Sequence, residues 1–363
     1  MSSAPPDPRL VDPSPSLRAR LIRLAFVGTI QAVRRLGAGG LPEPDAPDEE
    51  LVSYGLRMRA ATESLAAHAP DPRHTRILPI SRAPVPGRVV VADAASDAAV
   101  RPVGRSIGEL PSDGGEDPFA RVDRIVLHLH GGIYCLGSSA THRGLGARLS
   151  EQARAAVLLP DYRLAPEHPF PAALDDALAV YRWLLEDRAV PPERIAVTGD
   201  SAGGGLAASL LVRARELGLP QPACYVGLSP WTDLAGSGPS LVELADRDPW
   251  LPAALAVRAA KAYAGQMPLD DPAVSPLYAD LTGLPPVLVH VGADEILLDD
   301  AVRFVDACRA HGVDASVGRF PGLWHIFPIF PGIPEGHHAL REIGGFIRRH
   351  SVDGRALPVG VAA

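Results

Sequence analysis

The chain has 363 residues, of which 47% are hydrophobic and 21% are charged, and its formal net charge is −7. This balance excludes a disordered protein, because disorder needs low hydrophobicity together with high charge. The negative charge argues against nucleic acid as a partner, since proteins that bind polyanions present a basic surface. No run of the sequence reaches the roughly 18 consecutive apolar residues that span a bilayer. We therefore expect no stable membrane insertion.

The cysteines are too few and too scattered for a disulfide framework or a zinc site, and they fit a reducing compartment. They are Cys135, Cys224 and Cys308. The first residues are rich in proline, serine and aspartate and lack the basic region that opens a signal peptide. The sequence therefore predicts a cytoplasmic protein.

Two helices are predicted before residue 75, at Leu17–Leu36 and at Asp48–His68. The first has arginines beside an apolar set of leucine, isoleucine, valine and phenylalanine. Such a helix either packs on its own protein or lies on a membrane surface. We favour packing, and the surface-bound helix stays as the alternative.

From residue 76 onward, short β-like runs alternate with helical segments. The predicted strands are Arg76–Ser81, Arg88–Ala92, Arg124–His130, Ala155–Leu159, Arg194–Thr198, Ala223–Leu228, Pro286–Val291 and Ala315–Phe320. The predicted helices include Ala172–Leu185, Gly204–Leu217, Leu251–Ala264 and one within Ile333–His350. This alternation predicts an α/β fold with a mostly parallel, twisted sheet that has helices on both faces. Ligands of such sheets bind at the carboxyl ends of the strands.

A nucleophile motif lies between the fifth predicted strand and the helix after it. The segment Gly199–Gly203 reads Gly-Asp-Ser-Ala-Gly and fits the pattern G-x-S-x-G. This pattern needs small residues because its serine occupies a strained strand-to-helix turn. Chance also produces the pattern in glycine-rich loops, but the strand–turn–helix context favours Ser201 as a nucleophile.

A second glycine-rich motif follows the third predicted strand, where His130 precedes Gly131 and Gly132. Backbone N–H groups of glycines can stabilise the negative charge that develops on the carbonyl oxygen during acyl transfer. The N–H of Ala202, which follows the nucleophile, would be a third donor. We interpret His130 as a residue that organises the loop, not as a base.

The nucleophile needs a histidine base and an acid that orients it, in the chain order serine, acid, histidine. Asp294 lies at the carboxyl end of the seventh predicted strand, and Glu295 is a weaker rival because it is one residue further away. Asp299 and Asp300 come later, on the predicted next helix. His325 follows the eighth predicted strand through a short turn, which makes it the candidate base.

Four blocks in this order resemble the hormone-sensitive-lipase-like branch of the α/β-hydrolases. The blocks are His130–Tyr134, Asp161–Asp175, Gly199–Gly203, and Asp294 followed by His325. The second block is the most specific of the four, although it has no catalytic group of its own. The similarity extends from residue 76 to residue 350.

The resemblance implies an α/β-hydrolase fold with a helical cap. Residues 1–75 would form the N-terminal tail and the first cap helices, and residues 236–277 the second part of the cap. The catalytic domain would consist of residues 76–235 and 278–363. The implied roles are Ser201 as nucleophile, His325 as general base and acid, Asp294 as orienting carboxylate, and Gly131, Gly132 and Ala202 as donors to the oxyanion.

The sequence departs from the family at Ile133, where the family has a third glycine. A branched side chain at this position could narrow the pocket, so we expect retained activity with altered substrate choice. The substrate pocket is assigned to Ile133, Tyr134, Asp200 and Trp231.

The resemblance implies a serine carboxylesterase that hydrolyses short- to medium-chain acyl or aryl esters through an acyl-enzyme. Its partner would be a small ester, and no metal or organic cofactor would be required. A homodimer is left open. A lactone hydrolase or an amidase would use the same residues and stays as an alternative. A non-catalytic receptor on this scaffold is disfavoured because Ser201, Asp294 and His325 are all present.

Overall fold

A computed structural model describes residues 14–25, 48–80, 83–95, 119 and 122–351 of the chain. The second part of the predicted helix Leu17–Leu36 and most of the long segment between residues 93 and 123 lie outside them.

The described strands form one eight-stranded sheet in the order β1-β2-β4-β3-β5-β6-β7-β8. They are β1 Thr75–Pro79, β2 Gly87–Ala92, β3 Ile125–Leu129, β4 Ala156–Pro160, β5 Ile195–Asp200, β6 Cys224–Leu228, β7 Val287–Gly292 and β8 Ala315–Phe320. Strand β2 pairs antiparallel with β1 and β4, whereas all pairs from β4 to β8 are parallel. The prediction of a mostly parallel sheet is confirmed.

Helices cover both faces of this sheet. The helices in the described residues are α1 at residues 17–25, α2 Asp48–His68, α3 Ser139–Ala153, α4 Ala172–Leu185, α5 Ala202–Glu216, α6 Ser240–Glu243, α7 Ala253–Ala264, α8 Leu298–Ala310 and α9 Pro334–His350. One apolar cluster joins α3 and α9 to one face, and a larger cluster joins α4, α5 and α8 to the other.

The two faces follow from the alternation of side chains along each strand. All five residues of β3 are buried. Ile125 and Leu127 belong to the cluster with α4 and α5, whereas Val126 belongs to the cluster with α3 and α9. A strand that is apolar on both sides is typical of a parallel sheet covered by helices. The carboxyl ends of the central strands, and the loops that follow them, therefore lie at one edge of the sheet.

The described part of α1 packs against the protein. Ala19 is fully buried in a small cluster with Phe320, Trp324 and Phe327, on and after β8. Leu17 and Leu21 on the same helix are exposed. Among the described helices, none combines the length and the apolar character that a bilayer crossing requires.

The division into a catalytic domain and a two-part cap stays a prediction. Helices α1 and α2 come from the first predicted part of the cap, and α6 and α7 come from the second. Helix α2 contacts α3, and residues of α7 belong to the main apolar cluster.

Two adjacent glycines of α9 provide a test of how closely α9 packs on α3. A Cβ at Gly344 would lie 2.3 Å from the carbonyl oxygen of Gln152, whereas a Cβ at Gly345 would meet only arginine side chains, the nearest at 3.4 Å. We expect Gly344→Ala to lower the free energy of unfolding by about 1–3 kcal/mol, because the backbone of α3 must move. Gly345→Ala should raise it by up to about 1 kcal/mol through helix propensity. Urea unfolding followed by circular dichroism measures both, and equal effects would contradict the packing described here.

Candidate active site

The nucleophile motif forms a sharp turn between β5 and α5. Ser201 has φ 53° and ψ −124°, a left-handed backbone that non-glycine residues adopt at a cost. A Cβ on Gly203 would lie 2.1 Å from the carbonyl oxygen of Leu129, and one on Gly199 would lie 2.2 Å from the carbonyl oxygen of Gly203. The two glycines of the motif are therefore required by close backbone approach on both sides of the serine.

The turn places Ser201 next to a histidine from the loop after β8, the last strand in the order of the sheet. His325 lies on the loop after β8, and its Nε2 is 2.9 Å from Ser201 Oγ. The two residues are 1% and 3% exposed. The two residues that the sequence predicts as base and nucleophile thus share a hydrogen bond that is shielded from water.

The second nitrogen of His325 contacts Glu295. Its Nδ1 is 3.1 Å from Glu295 Oε1. The other carboxylate oxygen of Glu295 accepts hydrogen bonds from Ser229 Oγ and from the N–H of Gly292, both at 2.8 Å. The N–H of Ile326 donates in turn to Ser229 Oγ. Glu295 is therefore fixed at both oxygens, and it occupies the position of an acid that orients the imidazole.

The prediction that Asp294 orients His325 is wrong. Asp294 Oδ2 accepts a hydrogen bond of 2.7 Å from Arg23 of α1, and its Oδ1 is 3.7 Å from Arg247. The N–H of Asp294 bonds to the carbonyl of Leu323, so the backbone of this residue lies alongside the loop. The side chain of Asp294 contacts the arginines, and that of the next residue contacts His325.

Burial and the contact between His325 and Glu295 shift the pKa of both residues. Burial alone would lower the pKa of His325, but the hydrogen bond and the negative charge of Glu295 raise it, and the net shift is upward. Burial raises the pKa of Glu295, which His325 partly opposes. A base must be neutral to accept a proton, so its activity falls as the pH drops through the raised pKa of His325.

The glycine motif after β3 forms a loop of left-handed residues, which we name the His-Gly-Gly loop (residues 130–137). Gly132, Ile133 and Tyr134 have φ values of 126°, 51° and 61°. The N–H of Gly131 donates to Asp200 Oδ1 at 3.0 Å. The prediction that Gly131 donates to an oxyanion is therefore wrong, because its single proton is already engaged with a carboxylate. Gly132 and Ala202 remain from the predicted set of donors.

Asp200 supports the loop from beneath. His128 Nε2 lies 3.1 Å from Oδ1 of Asp200, and His142 Nε2 lies 3.4 Å from Oδ2. Burial alone would raise the pKa of Asp200, but the two histidines lower this pKa by more than burial raises it. The net shift is downward, so the carboxylate stays ionised. The assignment of Asp200 to the substrate pocket is wrong, because its carboxylate is taken up by these histidines and by the N–H of Gly131.

The Asp161–Asp175 segment, which has no catalytic group, also contacts the His-Gly-Gly loop. The hydroxyl of Tyr162 donates to the carbonyl of His130 at 2.6 Å, and the N–H of Ala165 donates to the carbonyl of Tyr134 at 3.0 Å. The ring of His130 stacks on Tyr162 with centroids 4.2 Å apart. Burial lowers the pKa of His130 to about 3, so its ring stays neutral at physiological pH. These contacts place His130 as an organiser of the loop.

Aromatic residues lie beside the nucleophile. The ring of Tyr134 stacks on Tyr263 of α7 with centroids 3.6 Å apart, and it lies 6.0 Å from the ring of Trp231. The N–H of Trp231 donates to the carbonyl of Ser201 at 2.9 Å. Ile133 is buried within the same apolar cluster. Of the residues predicted for the pocket, Trp231 contacts Ser201 directly and Tyr134 lies against Trp231. The assignment of these residues and of Ile133 to the substrate pocket stays a prediction.

The sequence places Glu295 second to Asp294, and it carries no motif that points to Arg59 or His142. Distance from the strand favours the nearer of two adjacent carboxylates, but it does not indicate which of them turns toward the loop after β8. Arg59 and His142 belong to helices without a motif. Only their contacts with the His-Gly-Gly loop and Asp200 reveal them.

Comparisons with known proteins identify the family of this chain. The model of the α/β-hydrolase fold family matches residues 126–329. An acetyl-hydrolase of Streptomyces hygroscopicus is 43% identical over 65% of this chain and 79% of its own length. An esterase of Acinetobacter venetianus is 37% identical over 64% of this chain and 78% of its own. The crystal structure of an esterase from the bacterial hormone-sensitive lipase family superposes with a TM-score of 0.73 and 35% identity, covering 90% of this chain and 97% of that one.

The chain belongs to the α/β-hydrolase family. Within that family it belongs to the hormone-sensitive-lipase-like branch, which confirms the resemblance carried by the four sequence blocks.

The adjacent carboxylates of Asp294 and Glu295 allow a matched test of the site. A fluorophosphonate labels an activated serine with loss of fluoride, and intact-protein mass spectrometry follows the rate. We expect Glu295→Gln to slow the labelling of Ser201 by roughly three to four orders of magnitude, because the amide no longer holds the imidazole in the required tautomer. Asp294→Asn should retain most of the rate, because Asp294 does not touch His325.

The pH dependence of the same labelling gives an independent reading. In Glu295→Gln the imidazole loses the carboxylate that raises its pKa, so the acid limb of the residual rate should move to lower pH. Asp294→Asn serves as the control and should leave the limb in place. The account is contradicted if Asp294→Asn is the variant that loses labelling.

Proposed function

We propose that this protein is a serine carboxylesterase that hydrolyses short- to medium-chain acyl or aryl esters through an acyl-enzyme intermediate. One observation carries the proposal, namely the buried series of contacts from Ser201 Oγ through His325 to Glu295. In this arrangement a weak nucleophile lies within reach of a base, and the base is held by a fixed carboxylate. The esterase and acetyl-hydrolase relatives support the same class of reaction.

Acylation is the first half of the proposed reaction. Ser201 Oγ attacks the ester carbonyl while His325 Nε2 accepts the hydroxyl proton. Glu295 accepts a hydrogen bond from Nδ1–H and stabilises the imidazolium that forms. The N–H groups of Gly132 and Ala202 stabilise the negative charge on the former carbonyl oxygen. His325 then returns its proton to the leaving alcohol as the C–O bond of the ester breaks.

Deacylation repeats these steps with water. His325 takes a proton from a water molecule, whose oxygen attacks the carbonyl carbon of the acyl-enzyme. The bond to Ser201 Oγ breaks, and the serine regains its proton from His325 as the carboxylic acid leaves. Every proton that His325 accepts is returned in the same half-reaction, so these residues can complete the cycle without an external acid or base.

A small acyl group fits the proposal best. The backbone of Trp231 bonds to that of Ser201, and the ring of Tyr134 lies 6.0 Å from the ring of Trp231. Both side chains are almost fully buried, and Tyr263 of α7 stacks on Tyr134. Ile133 adds a branched side chain directly after the two glycines. The relative named an acetyl-hydrolase supports the short end of the range. Lactone and amide hydrolysis would use the same residues, but none of these observations favours either over ester hydrolysis.

We further infer a cytoplasmic location, because the three cysteines are buried free thiols, which suits a reducing compartment. Light scattering after size-exclusion chromatography distinguishes a monomer from a homodimer.

Hydrolysis of p-nitrophenyl esters from acetate to decanoate tests the proposed function. We expect the wild type to turn over these esters best at the short end of the series, because the aromatic residues beside Ser201 leave little room. Ser201→Ala should lower kcat by roughly six orders of magnitude, because the nucleophile is lost. Thermal melting of the variant serves as the control for folding.

Two results would contradict this proposal. One is turnover by Ser201→Ala close to that of the wild type. The other is a wild type that hydrolyses no ester of the series while a panel of lactones or amides is turned over.

A further inference from the structure

We propose that Arg59 of α2 is a positioning residue that holds the His-Gly-Gly loop in the geometry needed to stabilise the oxyanion. This inference rests on the proposed function and deepens it. It assigns to a helix that precedes the whole sheet a part in the chemistry at Ser201. Arg59 itself touches no reacting atom.

The guanidinium of Arg59 joins three partners from two segments. Its Nε donates to the carbonyl of Cys135 at 2.9 Å, and its Nη2 donates to the carbonyl of Ala165 at 3.0 Å. Its Nη1 and Nη2 also donate to the two oxygens of Glu167, at 2.7 and 3.1 Å. A rigid, planar fork of this kind fixes the relative position of the groups it binds, which a single ammonium cannot do.

The contact at Cys135 reaches the candidate oxyanion donor through one short turn. The N–H groups of Cys135 and Leu136 both donate to the carbonyl of Gly132, at 2.9 and 2.8 Å. Gly132 and Cys135 are therefore two ends of one hydrogen-bonded turn. Gly132 is the first residue of this turn, so a movement of the carbonyl of Cys135 that tilts the turn also displaces Gly132 and its N–H.

The loop needs support from outside because its backbone is costly. Gly132, Ile133 and Tyr134 are three consecutive residues in the left-handed region, and a β-branched residue adopts that region at particular cost. Such conformations persist where the surroundings over-determine them. Asp200 and Tyr162 hold the start of the loop, at Gly131 and His130 respectively. Arg59 holds it beyond the strained residues.

A simpler role for Arg59 is to dock α2 through its ion pair with Glu167. The two side chains of this pair are 24% and 40% exposed, and ion pairs of that exposure contribute little to stability. The roles differ in what they predict. Docking alone affects stability or substrate binding, whereas positioning of the loop affects the transition state, in which the negative charge on the oxygen develops.

The test compares Arg59→Met and Arg59→Lys with two controls. Glu167→Gln removes the ion pair and leaves both bonds to carbonyl groups in place. Arg57→Met removes an arginine of the same helix that bonds to Ser53 of α2 at 2.6 Å. For each variant, kcat and KM are measured with p-nitrophenyl acetate, together with the rate of fluorophosphonate labelling and the melting temperature.

We expect Arg59→Met to lower kcat by about tenfold to a hundredfold, a decrease no larger than the one caused by the loss of a single oxyanion donor. The KM of this variant should stay within about twofold of the wild-type value. Arg59→Lys should recover part of kcat, because an ammonium reaches one carbonyl but does not fork to two. Glu167→Gln and Arg57→Met should keep a kcat close to that of the wild type.

Three results would overturn the inference. They are an unchanged kcat in Arg59→Met, a change confined to KM or to the melting temperature, and a Glu167→Gln variant that loses as much kcat as Arg59→Met. Failure of the proposed function is distinguishable from these results, because it would leave the wild type inactive on esters. Fluorophosphonate labelling still reports on Ser201 in that case, and an equal labelling rate in Arg59→Met and the wild type would still overturn the inference.

Discussion

The left-handed backbone of Ser201 dictates how closely the neighbouring chain segments must pack around the nucleophile. It lifts the hydroxyl out of the turn between β5 and α5, and it brings the chain so close to its neighbours that no Cβ fits at Gly199 or Gly203. The carbonyl of Leu129 at the end of β3 lies directly against the turn. Strand β5 must therefore lie next to β3, with their carboxyl ends level, and the order of the sheet meets this requirement.

The same edge of the sheet gathers the other groups. The loops after β3, β7 and β8 bring Gly132, Glu295 and His325 to Ser201, although these residues are far apart along the chain. Parallel strands end at one edge, which is why residues on four separate loops can meet without long connections. The apolar clusters on both faces hold the strands in place, so the sheet fixes where each of these loops begins.

Two separate charged groups lie buried on either side of Ser201. Glu295 contacts His325 and raises its pKa, which suits a base that must become an imidazolium during the reaction. Asp200 contacts two histidines and the N–H of Gly131, and these contacts keep it ionised. A buried carboxylate without such partners would cost several kcal/mol. Glu295 therefore acts on the proton that His325 carries, whereas Asp200 supports the His-Gly-Gly loop.

The sequence predicts much of this arrangement because its strongest patterns are local. The alternation of strands and helices, the turn at Ser201 and the histidine after β8 each depend on a short segment. The choice between Asp294 and Glu295 depends on which of two consecutive side chains faces a loop 30 residues later, and only the folded chain shows that it is Glu295. The role of Gly131 depends on a carboxylate from another strand. Neither relation leaves a periodic trace in the sequence.

Trapping of the covalent intermediate shows whether Ser201 carries the acyl group during turnover. The protein is mixed with p-nitrophenyl butyrate, quenched in acid within the first turnover, digested and mapped by mass spectrometry. The account predicts a butyryl group on the peptide that contains Ser201, present in the wild type and absent from Ser201→Ala. Release of p-nitrophenol by the wild type with the butyryl group on another residue, or on none, would contradict it.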